Sequence, residues 1–536
     1  MKLPLVLGLD SSTQSLSAVV VDRRTAATVK ALTVTYRTDP RLAGYGLDPE
    51  LLLLPPRSPG EADQPPLLFL ASLEALFEDL KNAGVDLGQI GLVNVSAQQH
   101  GAVYLSSGFL DALAELRSGE NTTRALAQVL GHAFSHPRAP IWKTSDTVAE
   151  AEQLRRAAGG SVAMIDRTGS DSPLRFTGAV ARRVFTREPG VWASTVRIHM
   201  LSSFFPAVLT GNADVPADWG NGSGTSLMDY RTRAWDLGLL EAAAAGLPGG
   251  GKALEAKLTP VASPLTLAGT VAPWFVKKYG FDPAARVLIG SGDNPQTKVL
   301  VRGDLLSVGT SFVMMVDTGD GLVDTRGWGN AMYDGTGRPF HFGCRTNGAL
   351  VWDRLRQKAG LGAQGFATSE AALAARSTGS VLALWQPDVE SFPPSPAFPL
   401  VVRGGDESFA SAYPGCVDSS LGLLYRGSLP WLGKPGSHGK TYPLAVTGGP
   451  TASPGILRRI AAIWNRPVVT IGTTGAALGA AAAALAFEGV TSPLLPPSVA
   501  VQPLPADVEA LHRPGGYLDA LEDFLAEATK KQGVKA

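Results

Sequence analysis

The sequence predicts an α/β protein of two domains with a cleft between them. Its 536 residues exceed what one compact core holds, so two domains are expected. A short hairpin pattern near the start recurs roughly 300 positions later, as in a duplicated architecture. Near the C-terminus, strand-like and helix-like segments alternate, which implies a parallel α/β unit.

The first hairpin is read from leucine-rich and β-branched runs at 3–9 and 16–21 that flank the small polar turn DSSTQS. Residues 39–66 are rich in proline, glycine and leucine without a period, and are expected to form a long surface excursion. Helical spacing follows at 71–80. A strand is expected at 90–95, ending at SAQQHG and so placing Gln99 and His100 at its C-terminal end, where open α/β sheets bind ligands. Residues 260–273 carry several prolines and read as the crossing between domains, with a helix at 274–280 and a strand at 287–290 beyond it. The second hairpin spans 305–308 and 312–316 around GTS, and each hairpin closes on a Val-Asp pair. The final alternation is strand 444–447, the turn GGPTASP, helix 456–464, strand 468–471 and an alanine-rich helix at 475–487.

Composition removes several classes of function. Hydrophobic residues are 45% of the chain and charged residues 18%, the balance of a soluble protein with large buried cores. Basic and acidic residues number 47 each, so no overall field draws the surface to nucleic acid or anionic lipid, and any bound anion must meet a local site. Two cysteines, Cys344 and Cys416, suggest neither a disulfide framework nor a cysteine metal site and fit a reducing cytoplasm. The N-terminus lacks the features of a signal peptide, and the longest apolar stretch, 476–487, is too short to cross ~30 Å of hydrocarbon.

Asp293 in SGDNPQT is the strongest candidate for a catalytic carboxylate. It follows a strand that stops at closely spaced glycines, where a sharp turn presents the next side chains to a cleft and an aspartate can take a proton from an alcohol. A turn aspartate that caps the next helix fits the same residues. The turns DSSTQS and SVGTS expose main-chain N–H groups suited to the phosphates of a nucleotide, with Asp10 holding Mg²⁺ directly or through water; either turn alone reads first as an ordinary hairpin, and the pair in corresponding places reverses that preference. The GGPTAS turn lets backbone approach a flat ligand such as adenine. The alanine-rich helix reads as packing. Gln98, Gln99 and His100 suit a polyhydroxylated ligand, although a buried, satisfied histidine is the plain alternative. Trp142 and Asp146 in PIWKTSDT, with Asp218, Trp219 and Asn221 in ADWGNGSG, complete a sugar site or form loops.

Through GLDSSTQS, SAQQHG, PIW, RFTG at 175–178, GSGDNP, SVGTS, TGG at 447–449 and GAALGAA, the chain resembles the FGGY carbohydrate kinases over nearly its whole length, and within them the xylulokinase branch. The resemblance implies two RNase H-like domains of the actin, hexokinase and Hsp70 type, at 1–270 and 271–536, closing on ATP and a ketose. It implies Asp293 as catalytic base, Asn294, His100 and Gln99 on the sugar, and Asp10 at magnesium and phosphates beside Ser12 and Thr13. Gly309, Thr310 and Ser311 match the second phosphate turn, and Gly448, Gly449 and Ser453 the adenosine pocket. Trp142, Asp146 and Asp171 are assigned to the sugar side. The chain departs from the family where Trp142 is followed by Lys143 and Thr144 with an acid only at Asp146, at Asp171 in place of an arginine, at Asn221 in place of a common aspartate, and at Phe312 after GTS. The implied reaction is ATP-dependent phosphorylation of a ketopentose, D-xylulose, by a cytoplasmic monomer or homodimer. The alternatives are a related kinase for ribulose, another ketose or a polyol, and a catalytically silent ATP-binding regulator.

Overall fold

A computed structural model describes residues 3–362, 365–434, 441–472, 475–490 and 500–530. They form two compact units: the first takes in the described residues of 1–300, 331–339 and 474–494, and the second those of 301–330, 340–473 and 495–536. Residues 271–300, with Asp293, thus pack into the first unit.

The first unit is built on strands β1 (Leu5–Ser11), β2 (Ser15–Asp22), β3 (Thr28–Thr35), β4 (Ile90–Ala97), β5 (Leu267–Thr270), β6 (Arg286–Leu288) and the short β7 (Ser291–Gly292). Their order is β5-β6-β4-β1-β2-β3, with β7 also paired to β4. The first three strands form an antiparallel meander, whereas β4 runs parallel to β1, β6 and β7. Near-continuous apolar runs explain the centre of the sheet: Val6, Leu7, Leu9, Ile90, Leu92 and Val95 are all fully buried. The edge strand β3 instead buries only one of its eight residues. Helix Pro66–Asn82 packs on β2 and β3, and helix Gly475–Phe487 on β1 and β4.

In the second unit β8 (Leu305–Val308), β9 (Phe312–Asp317), β10 (Pro339–Arg345), β11 (Leu444–Thr447), β12 (Val468–Thr470) and β13 (Ala500–Val501) follow the order β10-β9-β8-β11-β12-β13. Here too the opening hairpin strand pairs antiparallel with its successor and parallel with a later strand. The sense of pairing matches strand for strand: antiparallel through β10-β9-β8, parallel through β8-β11-β12, and antiparallel at the last edge. The recurrent hairpin therefore reflects a duplicated sheet topology. Helices Phe409–Ser428, Pro454–Trp464 and Tyr517–Lys530 contribute to its apolar core.

Two segments differ from expectation. Residues 260–273 include β5, an edge strand of the first sheet; main-chain pairing with β6 outweighs a proline-rich composition, since the prolines stand outside the paired residues. Residues 39–66 bury Leu42, Leu52, Asp63 and Gln64, and Asp63–Gln64 pairs with Ala139–Pro140, so this excursion is anchored in the fold. Among the described residues no helix is long and apolar enough to cross a membrane.

Candidate active site

Register brings the polar residues of the first unit together. Asp10 pairs with Ser96 across β1 and β4, and Ser96 with Ser291 across β4 and β7, so three side chains line the C-terminal ends of parallel strands. Ser96 Oγ donates to Asp10 Oδ1 at 2.6 Å. Directly beyond lie Gln99 and His100 on one strand and Asp293 and Asn294 on the other. Asp293 opens helix Asp293–Val299, whose N-terminal end favours a negative charge. Its Oδ1 accepts from the main-chain N–H of Asn294 at 2.9 Å and of Gln99 at 3.3 Å, and from Asn294 Nδ2 at 3.1 Å. Asn294 Nδ2 also donates to Gln99 Oε1 at 3.0 Å.

The two half-buried carboxylates have no ion-pair partner among the described residues. Burial pushes Asp293 up to about 7, and the Asp10 charge adds to the rise. Burial also pushes Asp10 up to about 6 against the opposing hydrogen bond from Ser96. A magnesium ion fits this setting: a hard cation relieves the repulsion between two desolvated carboxylates, and Asp10 offers it an oxygen. Among the described residues no group of three or more His, Cys, Asp or Glu forms a ready metal cage.

His100 stacks on Phe176, with ring centroids 4.6 Å apart, and burial drives its pKa down to about 3. Its Nδ1 lies 2.9 Å from the Gly224 carbonyl oxygen, which only accepts. The proton of the neutral ring therefore sits on Nδ1, leaving Nε2 as an acceptor. Gly224 makes this approach possible, because a Cβ there would lie 2.7 Å from the imidazole.

Ser12 Oγ accepts from the Ser15 and Gln14 main-chain N–H groups and so fastens the first turn. Trp142 Nε1 donates to Thr13 Oγ1 at 2.9 Å, which joins Trp142 to that turn. Asp146 and Asp171 have other partners. Asp146 is held by Arg183 at 3.0 Å, Arg187 at 2.7 Å and the Ser58 hydroxyl at 3.1 Å, and Asp171 lies 3.2 Å from Arg155. Neither makes a hydrogen bond to the Asp10–Asp293 group.

Ser96 carried no assigned role in the sequence, and Asp218 was expected either to complete a sugar site or to lie in a loop. Ser96 could have been noticed as a small polar residue in an otherwise apolar buried strand. Asp218, fully buried, accepts from Ser291 Oγ at 2.5 Å, Asn221 Nδ2 at 2.7 Å and the Gly220 N–H at 2.8 Å. It thereby fixes the strand just before Asp293. Nothing local in ADWGNGSG announces the Ser291 contact, which spans 73 residues.

In the second unit, Gly309, Thr310, Gly449 and Ser453 line a cavity of about 850 Å³ with Trp352, Tyr413 and others. Ser311 continues the same turn as Thr310. Gly448, at φ 111°, lies so close to β8 that a Cβ would stand 2.1 Å from the Val308 carbonyl oxygen, whereas a Cβ at Gly449 meets nothing within 4 Å. The Ser453 hydroxyl caps helix Pro454–Trp464 through Ile456 N–H at 3.0 Å and donates to Glu370. The volume falls within the range of small-ligand pockets.

No family model matches the sequence. The chain is 34% identical to xylulose kinase 2 of Arabidopsis thaliana over 312 residues, 57% of this chain and 53% of the relative, so that match spans about half of the plant protein. It is 27% identical to the xylulose kinase of Mus musculus over 527 residues, 93% of this chain and 90% of that one. The structure superposes on the ligand-bound xylulose kinase of Lactobacillus acidophilus with a TM-score of 0.78 at 17% identity, covering 98% of this chain and 99% of the other. Over most of its length the chain is similar to xylulose kinases. Its two sheet-based units share the fold of that solved kinase.

Proposed function

We propose that the protein transfers the γ-phosphoryl group of ATP to a ketopentose, D-xylulose, giving the 5-phosphate and ADP. One observation carries the reading: Asp293, poised near 7 beside Asp10 at the strand ends, has the basicity and setting of a general base for an alcohol. The similarity to xylulose kinases along most of the chain supports the choice of sugar.

In this reading the C5 hydroxyl passes its proton to Asp293 as its oxygen attacks phosphorus and the bond to the β,γ-bridging oxygen breaks. An alcohol loses its proton late in such a transfer, so orientation contributes most of the rate. Asn294 and Gln99 hold Asp293 and each other. His100 Nε2 accepts from a sugar hydroxyl, and Trp142 offers an exposed apolar ring to the carbon face. The turn Ser12–Thr13 and the turn Gly309–Thr310–Ser311 give main-chain donors to phosphate, and Gly448, Gly449 and Ser453 bound the adenosine site. Mg²⁺, when bound, neutralises charge on the phosphates; Asp10 would hold it, with remaining ligands from phosphate and water. Asp146 and Asp171 support the sugar side through their arginine partners in this reading. The charge balance, cysteine content and absence of a spanning helix among the described residues fit a cytoplasmic protein, monomeric or dimeric.

ADP release measured across pentuloses, hexuloses and polyols tests the proposal. D-xylulose should stimulate turnover most. Greater turnover with ribulose would overturn the choice of sugar, and MgATP binding with no sugar-stimulated ADP release would overturn the activity.

A further inference from the structure

Four side chains of the first unit form one hydrogen-bonded chain whose direction is fixed from one end. Gln64 Nε2 lies 2.8 Å from two main-chain carbonyl oxygens, those of Thr13 and Leu52. Both only accept, so the amide of Gln64 must face them and its Oε1 must face away. Gln98 Nε2 then donates to Gln64 Oε1 at 2.8 Å, which leaves Gln98 Oε1 to accept from Thr13 Oγ1 at 3.0 Å. The Thr13 hydroxyl proton is thus spent on Gln98, and the oxygen accepts from Trp142 Nε1 at 2.9 Å. Gln64 and Gln98 are buried, so no water competes for these bonds.

A phosphate oxygen needs a donor, and the Thr13 side chain has none left to give. The main chain does. In the turn, Ser12 N–H donates to Ser15 O, and Gln14 and Ser15 N–H both donate to Ser12 Oγ. The Thr13 N–H has no acceptor among the described residues. The chain of amides also joins four separated segments: the excursion at 39–66, the first turn, the strand end that carries Gln99 and His100, and the Trp142 loop.

We propose that Gln64 and Gln98 are positioning residues of the transfer site: they lock the Thr13 hydroxyl and the Trp142 indole into one chain, so that Thr13 meets phosphate through its N–H and its side chain is a strut. This rests on the function proposed above. The excursion at 39–66 then serves catalysis through Gln64, although it is remote in sequence from every other part of the site.

The test compares Thr13→Ser, Thr13→Val, Gln98→Leu and the double variant Thr13→Val/Gln98→Leu in two measurements: kcat and KM for D-xylulose phosphorylation, and calorimetric affinity for MgATP. Loss of one buried hydrogen-bond partner costs ~1–3 kcal/mol, a factor of about 5 to 150. Thr13→Val and Gln98→Leu should each lower kcat by a factor in that range and leave MgATP affinity within about threefold of wild type. The double variant should be no worse than the poorer single one, because both break the same chain. Thr13→Ser, which keeps the hydroxyl, should restore kcat. A loss of MgATP affinity of about tenfold or more in Thr13→Val that Gln98→Leu does not share, or losses of kcat that multiply in the double variant, would overturn the proposal. Should wild type show no sugar-dependent ADP release, the activity itself fails. The affinity arm still decides the role of Thr13.

Discussion

Asp293 titrates near 7 because burial and the Asp10 charge both favour its neutral form. The function of such a base depends on pH within the ordinary working range. kcat/KM for the sugar should rise as pH increases through about 7 and level off above it, with the falling limb on the acid side. The same shift has a consequence for stability. A carboxyl whose folded pKa lies above its unfolded value of 3.8 contributes stability that is fully present below 3.8 and is lost as pH rises through about 7. Asp293→Asn should therefore melt at a higher temperature than wild type at pH 8, with the difference gone near pH 3.5. A thermal-melting series over pH measures it, and equal midpoints at pH 8 would contradict the shift. His100, held neutral down to about 3, adds no inflection to the rate profile between pH 5 and 8.

At the level of elements, helix Gly475–Phe487 sets where both carboxylates stand. A Cβ on Gly8 would lie 2.0 Å from the Ala477 carbonyl oxygen, and one on Gly479 would lie 1.9 Å from the Gln296 carbonyl oxygen. Backbone thus meets backbone between this helix and both β1, which carries Asp10, and helix Asp293–Val299. Gly479→Ala must push them apart, at a cost of roughly 1–3 kcal/mol of stability and about tenfold or more in kcat. Gly190→Ala, with open space around it, should be nearly silent in both assays. Near-wild-type turnover of Gly479→Ala would remove the helix from the account.

These elements were legible to different degrees. Apolar runs at 3–9, 16–21, 90–95, 305–308 and 444–447 mark real strands, and the reading of GAALGAAAAALAF as packing agrees with its burial. Edge strand β5 was hidden because its stability comes from pairing with β6 rather than from its own residues. The hydrogen-bonded chain of Gln64, Gln98, Thr13 and Trp142 was hidden for a related reason. Its partners stand as far as 129 residues apart, and a glutamine gives no periodic signal of its role. Register explains what the sequence did expose: Asp10, Gln99, His100 and Asp293 all follow strand runs that end in small polar residues.

For the whole molecule, the recurrence of one sheet topology in two units accounts for two hairpin turns of similar composition at matching strands. The proposed roles divide between the units, so variants should separate by substrate. Gly448→Ala places a Cβ 2.1 Å from the Val308 carbonyl oxygen in a conformation that L side chains rarely adopt. Steady-state kinetics should show its KM for ATP raised about tenfold or more, with that for the sugar nearly unchanged. Parallel increases in both would argue against a nucleotide role for the cavity of the second unit.

The most direct measurement compares wild type and Asp293→Ala in D-xylulose-dependent ADP release, alongside calorimetric titration with MgATP. Turnover should fall by about a thousandfold while MgATP binds within about threefold of wild type. Retention of wild-type turnover by Asp293→Ala would contradict the role of Asp293 as base.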